Sequence, residues 1–357
     1  MFHLTSEDVE VMLNHKYTSA GYTWLDKQLN PFWNFCAALL PKWLSPNMVT
    51  LLGYFSQVIM LFLIIPYDSS LSKQLPPYVY IISVICMFMG QTFDAIDGKH
   101  ARNLKKSSSL GQLMDHGCDA MSNFLSVIII AQAHCFGPSL STLILQCGIS
   151  IQFYTLTLEE NFTGVLRTNV DNIGVTEYQF FGMLVVLLPA FIGQLFSNVT
   201  LPVINMSLAS FLLMLSFLSS VKSTVQVVFE SSSLSIKDGL NKWYGLGSYF
   251  ALTVAQFLVL KMKVYQLYCF YIIILNGLHF GLLTCKLIIY NMDKKKVKFF
   301  DLDVFVFVMG MFVAFMSGDI VIEAVIMGLL LVWMVVRFYI IVIGTIRKLV
   351  KRIGNGF

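Results

Sequence analysis

Apolar positions in this chain fall into long blocks separated by short polar stretches, and not into the period-2 alternation of a half-buried sheet. Ten such blocks cover 47–66, 78–100, 111–134, 139–158, 175–195, 201–221, 245–264, 266–290, 302–317 and 320–345. About 20 apolar residues in a helix cross a hydrocarbon core of about 30 Å. The pattern therefore predicts an all-α, polytopic integral membrane protein with about ten transmembrane helices, most of them packed against their sequence neighbours. Residues 21–46 (GYTWLDKQLNPFWNFCAALLPKWLSP) break the pattern by mixing aromatic, aliphatic and basic positions up to Pro46. They read as an N-terminal amphipathic helix lying in the interface, with Trp24, Trp33 and Trp43 at headgroup level. The chain divides on this basis into 1–46, a bundle over 47–221, and further helices with a basic tail over 222–357.

Composition agrees with the pattern. The chain is 57% hydrophobic and 12% charged, whereas a soluble domain carries about 25% charged residues. A net charge of +4 is too small to imply nucleic acid. The seven cysteines form no CxxC pair and read as small apolar residues, not as a disulfide or zinc framework. The start MFHLTSEDVEV has no apolar core after a basic opening, so no cleavable signal peptide is expected. With ten spans, nearly all basic residues fall on one side, including Lys294, Lys295, Lys296, Lys298, Arg347, Lys348, Lys351 and Arg352. That asymmetry places both termini in the cytoplasm.

Candidate chemistry is concentrated in FDAIDGKHARNLKKSSSLGQLMDHGCDAM, residues 93–121. Four aspartates stand at the ends of two otherwise apolar spans, where a charge is costly and marks function by default. Asp94, Asp97, Gly98, Ala101 and Arg102 share one helix face, and so do Gly111, Asp115 and Asp119. A short basic loop makes the two helices antiparallel neighbours, so the four carboxylates converge. At low dielectric they repel one another, and Arg102 alone does not compensate them. Oxygen-bound Mg2+ or Mn2+ suits the site, and a pair of ions suits phosphoryl chemistry. Gly98, Ala101 and Gly111 leave room for a ligand or a facing helix, and Arg102 has the shape to grip a phosphate. On spacing alone, catalysis, an ion pathway and a purely structural role all remain open.

The stretch fits D-x2-D-G-x2-A-R-x8-G-x3-D-x3-D at Asp94, Asp97, Gly98, Ala101, Arg102, Gly111, Asp115 and Asp119. In this it resembles the CDP-alcohol phosphotransferases. QTFDAIDGKHAR, LGQLMDHGCDA, YTWLDKQLNPFW, LSPNMVTLLG and GVTEYQ resemble the eukaryotic choline/ethanolamine (aminoalcohol) branch of that family. Asn103, Leu110 and His100 depart from the usual residues of the branch and put head-group preference in question. The resemblance implies that Asp94, Asp97 and Asp115 ligate Mg2+ or Mn2+ and that Asp119 completes the site. It implies that the CDP moiety lies against Gly98, Ala101, Arg102 and Gly111, with Asn47 and Thr50 nearby; Asn47 also reads as an N-cap. It implies transfer of phosphocholine or phosphoethanolamine from CDP-choline or CDP-ethanolamine to diacylglycerol, with CMP leaving.

The proton acceptor is Asp119, His116 or Glu177. His116 reads equally as a carboxylate orienter, and Glu177 as a helix N-terminal charge. A homodimer in the endoplasmic reticulum or Golgi, with a cytoplasmic active site, is implied in the same way. A CDP-diacylglycerol-dependent phosphatidyltransferase and a carboxylate-lined transporter are the alternatives. Arg337, deep in the last span without an evident partner, reads as a snorkelling or structural residue, and His279 as a packed, hydrogen-bonded one.

Overall fold

A computed structural model describes residues 4–15, 18–21, 23–167, 169–170, 173–202, 206–230, 236–295, 297 and 301–354, with backbone only at 19, 20, 169, 170, 173, 196, 230 and 236–244. Lys296, Lys298 and residues 231–235 lie outside the described residues.

Fourteen α-helices, with a 3-10 turn at Val259–Lys261 and a π-helical turn at Tyr339–Ile343, make up most of the described chain. They are α1 (Ser6–Leu13), α2 (Trp24–Leu39), α3 (Pro46–Ile64), α4 (Pro77–Asn103), α5 (Ser109–Ala133), α6 (Leu140–Thr163) and α7 (Val175–Ile192), followed by the single turn α8 (Leu195–Asn198). Then come α9 (Leu208–Glu230), α10 (Ile236–Leu258), α11 (Lys263–Met292), α12 (Leu302–Ser317), α13 (Ile320–Phe338) and α14 (Gly344–Ile353). Strands are confined to three two-residue pairings, among them Ser19–Ala20 beside Leu166–Arg167. The all-α membrane architecture expected from the pattern is present. A helix stands at each of the ten predicted blocks, and seven runs are long and apolar enough to cross a membrane: α3, α4, α6, α7, Leu208–Phe229, α11 and Ile320–Ile353. Gly245–Lys261 and Leu302–Ser317 are shorter apolar helices. Ten spans therefore stays an expectation of the pattern.

Local chemistry sets the helix ends. Thr23 and Asp26 form a capping box that starts α2, and the Ser45 side chain caps α3 just before Pro46. The cap of α3 is thus Ser45, and Asn47 is already inside the helix, free of the capping role its sequence position offered. Ser108 Oγ accepts from the Gly111 amide at 3.1 Å and starts α5. Gly164 ends α6 in the left-handed region, at φ 70°.

The amphipathic helix of the N-terminal segment is α2, but it stops at Leu39 and its tryptophans divide. Trp24 and Trp43 are 71% and 82% exposed, while Trp33 is buried with Ala37 against Val49 and Ile96. The expectation of three interfacial tryptophans fails at Trp33, because that ring lies on the face of α2 turned toward α3 and α4.

The core is built around α11, which packs on α5. Two glycines permit the approach. A Cβ on Gly277 would lie 2.2 Å from Phe124 Cβ, and one on Gly281 would lie 2.3 Å from Met121 Sδ. Four residues apart, they form a GxxxG face on which the backbone of α11 meets the side chains of α5. The cysteines are free.

Candidate functional site

α4 and α5 run side by side, both against α3, and bring the motif together. Asp94, Asp115 and Asp119 each offer a carboxylate oxygen, and these atoms all lie within 4.8 Å of one another. All three are half-buried. Asp94 comes from α4, and Asp115 and Asp119 from successive turns of α5, so three of the four carboxylates expected to converge do so. Three like charges at this spacing repel strongly away from water. Asp115 Oδ1 is buried with no hydrogen-bond partner. An orphaned anionic oxygen beside two other carboxylates is the donor set of a hard divalent cation, so the residues fit Mg2+ or Mn2+.

Asp97 stands outside that triplet. It is 5% exposed, and its carboxylate accepts a hydrogen bond from the Thr50 hydroxyl of α3. Thr50 thus contacts a motif carboxylate directly. A Cβ on Gly98 would lie 3.5 Å from an Arg102 guanidinium nitrogen, which places the arginine head over that glycine. A Cβ on Gly111 would lie 3.6 Å from Asn47 Oδ1, so Asn47 of α3 faces the start of α5. Ala101 is half-buried on the turn between Gly98 and Arg102. Beneath this face, His100 is buried and its Nε2 lies 2.9 Å from the Leu44 carbonyl, which ties α4 to the α2–α3 connection.

The structure places the candidate proton acceptors differently. Asp119 belongs to the carboxylate group. His116 is buried, with Nε2 3.7 Å from Asp115 Oδ2, beside the group and in reach of orienting it. Glu177 accepts from the Gly174 amide at 2.9 Å and from the Leu25 amide at 3.3 Å. Its two oxygens close the N-terminus of α7 and join it to α2, the helix-end role that its position in sequence allowed.

Two polar networks were not legible in the sequence. Gln112 of α5 donates to Glu160 of α6 at 3.0 Å, and Asn291 of α11 donates to the other Glu160 oxygen at 3.0 Å. This holds the start of the second motif helix to two others. Arg337, whose partner is not evident in the sequence, pairs with Asp303 through Nε at 2.6 Å and through a terminal nitrogen at 3.1 Å. Asp303 also accepts from Lys286 and from Trp333 Nε1, and Lys286 reaches Asp301 at 2.6 Å. Of the two readings of Arg337, the structural one agrees with this buried ion network, which joins α11, α12 and α13. His279 is packed as expected: Nδ1 lies 3.0 Å from the Leu275 carbonyl, and the ring lies 4.1 Å from that of Phe307. The signal available in the sequence was Lys286 itself, a lone cation inside an apolar block.

Comparison with known proteins places the site in context. Residues 43–229 match the family described as CDP-alcohol phosphatidyltransferase, a stretch that contains every motif residue. The chain is 32% identical over 195 residues to an uncharacterized CDP-alcohol phosphatidyltransferase class-I family protein of Dictyostelium discoideum, covering 54% of this chain and 51% of the relative. It is 30% identical over 211 residues to cholinephosphotransferase 1 of Danio rerio, covering 58% and 54%. It is 34% identical over 178 residues to choline/ethanolaminephosphotransferase 2 of Arabidopsis thaliana, covering 50% and 45%. The chain spans about half the length of the curated relatives it matches.

Proposed function

Since the chain belongs to the CDP-alcohol phosphatidyltransferase family, we propose that it transfers phosphocholine or phosphoethanolamine from CDP-choline or CDP-ethanolamine to diacylglycerol and releases CMP. The observation that carries this reading is the convergence of Asp94, Asp115 and Asp119 within otherwise apolar helices. The names of the relatives, cholinephosphotransferase and choline/ethanolaminephosphotransferase, supply the head groups.

In this reading the diacylglycerol hydroxyl attacks the β-phosphorus of the donor. The bond from that phosphorus to the oxygen bridging the two phosphates breaks, and CMP departs. The proton of the hydroxyl passes to Asp119, or to His116 beside Asp115. Mg2+ or Mn2+ held by Asp94, Asp115 and Asp119 supplies neutralisation of charge on the phosphoryl oxygens. Thr50 fixes the rotamer of Asp97. Arg102, over Gly98, is placed to bind a phosphate oxygen, and the small side chains at Gly98, Ala101 and Gly111 leave space for the nucleotide. Catalysis then comes from positioning and electrostatics, with no covalent intermediate. The same reading has the site and both termini on the cytoplasmic face of the endoplasmic reticulum or Golgi, in a homodimer.

The test is a radiolabelled transfer assay on protein in detergent–lipid micelles with diacylglycerol and Mg2+. CDP-choline, CDP-ethanolamine and CDP-diacylglycerol with inositol are supplied separately, beside Asp119→Asn. Product and CMP from either aminoalcohol donor, lost in the variant, are expected. Folded wild-type protein that forms product only from CDP-diacylglycerol would overturn the substrate class.

A further inference from the structure

Between α2 and the C-terminal end of α4 lies an open groove of about 630 Å3, within the range that holds small ligands. Lys27, Asn30 and Asn34 of α2 form one wall, and Lys99, Arg102 and Asn103 of α4 form the other. The three positions on α2 are spaced i, i+3, i+7 and those on α4 i, i+3, i+4, so each wall is one helix face. The walls carry three cations and three carboxamides, and no carboxylate lines them. Among the described residues, the ion pairs of this chain lie elsewhere, and none involves Lys27, Lys99 or Arg102. Lys99 Nζ donates to Asn30 Oδ1 at 2.5 Å, which braces the two walls and leaves two of its N–H groups for another acceptor.

Clustered cations that are held in no ion pair create a field that attracts an anion. Amide donors beside them add the hydrogen bonds that hold phosphate oxygens in a fixed place. We propose that this groove is a second phosphate-binding site, formed by α2 with the outer face of α4 and joined to the aspartate centre through Arg102. Its ligand is a phosphate monoester or diester, carried by a free nucleotide or by an anionic lipid at the membrane surface. The groove shares Arg102 with the transfer reading, but Lys27, Asn30, Asn34, Lys99 and Asn103 have no part in that reading, so the inference does not require it.

The experiment uses the full chain in phosphatidylcholine nanodiscs with EDTA present, so that the aspartates hold no divalent ion. Labelled CMP is offered by equilibrium dialysis in one arm. In the other, phosphatidic acid is added to the nanodisc and its retention is read by native mass spectrometry. Wild type is compared with Lys27→Ala, which removes an exposed charge, and with Asn34→Leu, which narrows the groove; thermal melting confirms that both fold. At least one probe binds the wild type, and each variant weakens that binding about tenfold, the loss of one charge-assisted contact. CMP binding that the two variants weaken identifies the free nucleotide as the source, and phosphatidic acid binding that they weaken identifies the lipid. Failure of both probes to bind wild type, or binding unchanged in both folded variants, overturns the proposal. Transfer activity is judged separately on labelled phospholipid, so the failure of either idea is distinguishable from that of the other.

Discussion

The Thr50 hydroxyl of α3 donates to the carboxylate of Asp97 on α4, across 47 residues of chain. It is the contact through which a helix outside the motif sets the rotamer of a motif carboxylate. Replacing Thr50 by valine keeps the shape and removes the hydrogen bond. Partners of this kind typically control activity or metal affinity by about 10–100-fold. Thr50→Val is expected to lose transfer rate within that range with a nearly unchanged melting temperature, and Thr50→Ser to recover most of it. Equal rates for valine and wild type would remove Thr50 from the site.

Asp94 belongs to the triplet itself, so its loss should exceed that range. Asp94→Asn is expected to cost more than about 100-fold in transfer and in Mn2+ affinity, read by paramagnetic resonance. Without divalent ions the same variant should melt no lower than wild type, because one member of a like-charged group is gone. A lower melting temperature in EDTA would mean that the carboxylates attract cations of the protein instead of repelling one another.

Arg337 and Asp303 give a stability prediction remote from the triplet. Arg337→Met leaves a buried carboxylate short of one of its two cations, at a cost of about 3 kcal/mol. The double variant with Asp303→Leu should cost less than the sum of the single ones, and the coupling energy from the cycle measures the pair. Additive single effects would show that the ion network contributes nothing beyond its packing.

The contact between α11 and α5 ranks two glycine substitutions. Gly277→Ala drives a methyl group into Phe124 Cβ, which is fixed to the helix, at a cost of about 2 kcal/mol. Gly281→Ala meets the end of the flexible Met121 side chain and should cost less. Melting in micelles should give the order wild type, Gly281→Ala, Gly277→Ala, and transfer should fall in the same order because α5 carries Asp115 and Asp119.

Asp68, between α3 and α4, supplies a pH dependence. Burial pushes its carboxyl upward, but hydrogen bonds from the hydroxyl and amide of Ser70 and the amides of Lys73 and Ser72 outweigh this and hold it below its usual range. A depressed carboxyl stabilises the fold above its unfolded value, near about 4. That contribution is lost as pH falls through the folded value. Asp68→Asn should be less stable by about 2 kcal/mol at neutral pH, with a flatter loss of melting temperature on acidification. A parallel acid limb would refute it.

Much of this was legible in the sequence, for definite reasons. Membrane helices declare themselves by length and apolarity, whereas the start of α3 reads two residues late, at Asn47 in place of Ser45. The convergence of Asp94 with Asp115 and Asp119 followed from two helical periodicities and a short connection. What escaped depends on the rotation of helices about their axes and on pairings between distant segments. Trp33 faces inward because α2 packs on α4, which a composition of aromatic and basic residues does not reveal. The Thr50–Asp97 hydrogen bond, the partners of Arg337 and the hydrogen bond from the Leu25 amide to Glu177 each join segments far apart in the chain. The GxxxG face of α11 is visible as two letters, but its partner α5 is not.

That face also bears on how the protein is made. Gly277 follows Phe124 by about 150 residues. At roughly 5–20 residues per second of synthesis, α5 is made on the order of ten seconds before the helix that receives it. During that interval Asp115 and Asp119 sit on a helix whose largest packing surface is still missing. A nascent chain stalled before α11 should therefore be the form most open to membrane chaperones and quality-control proteases.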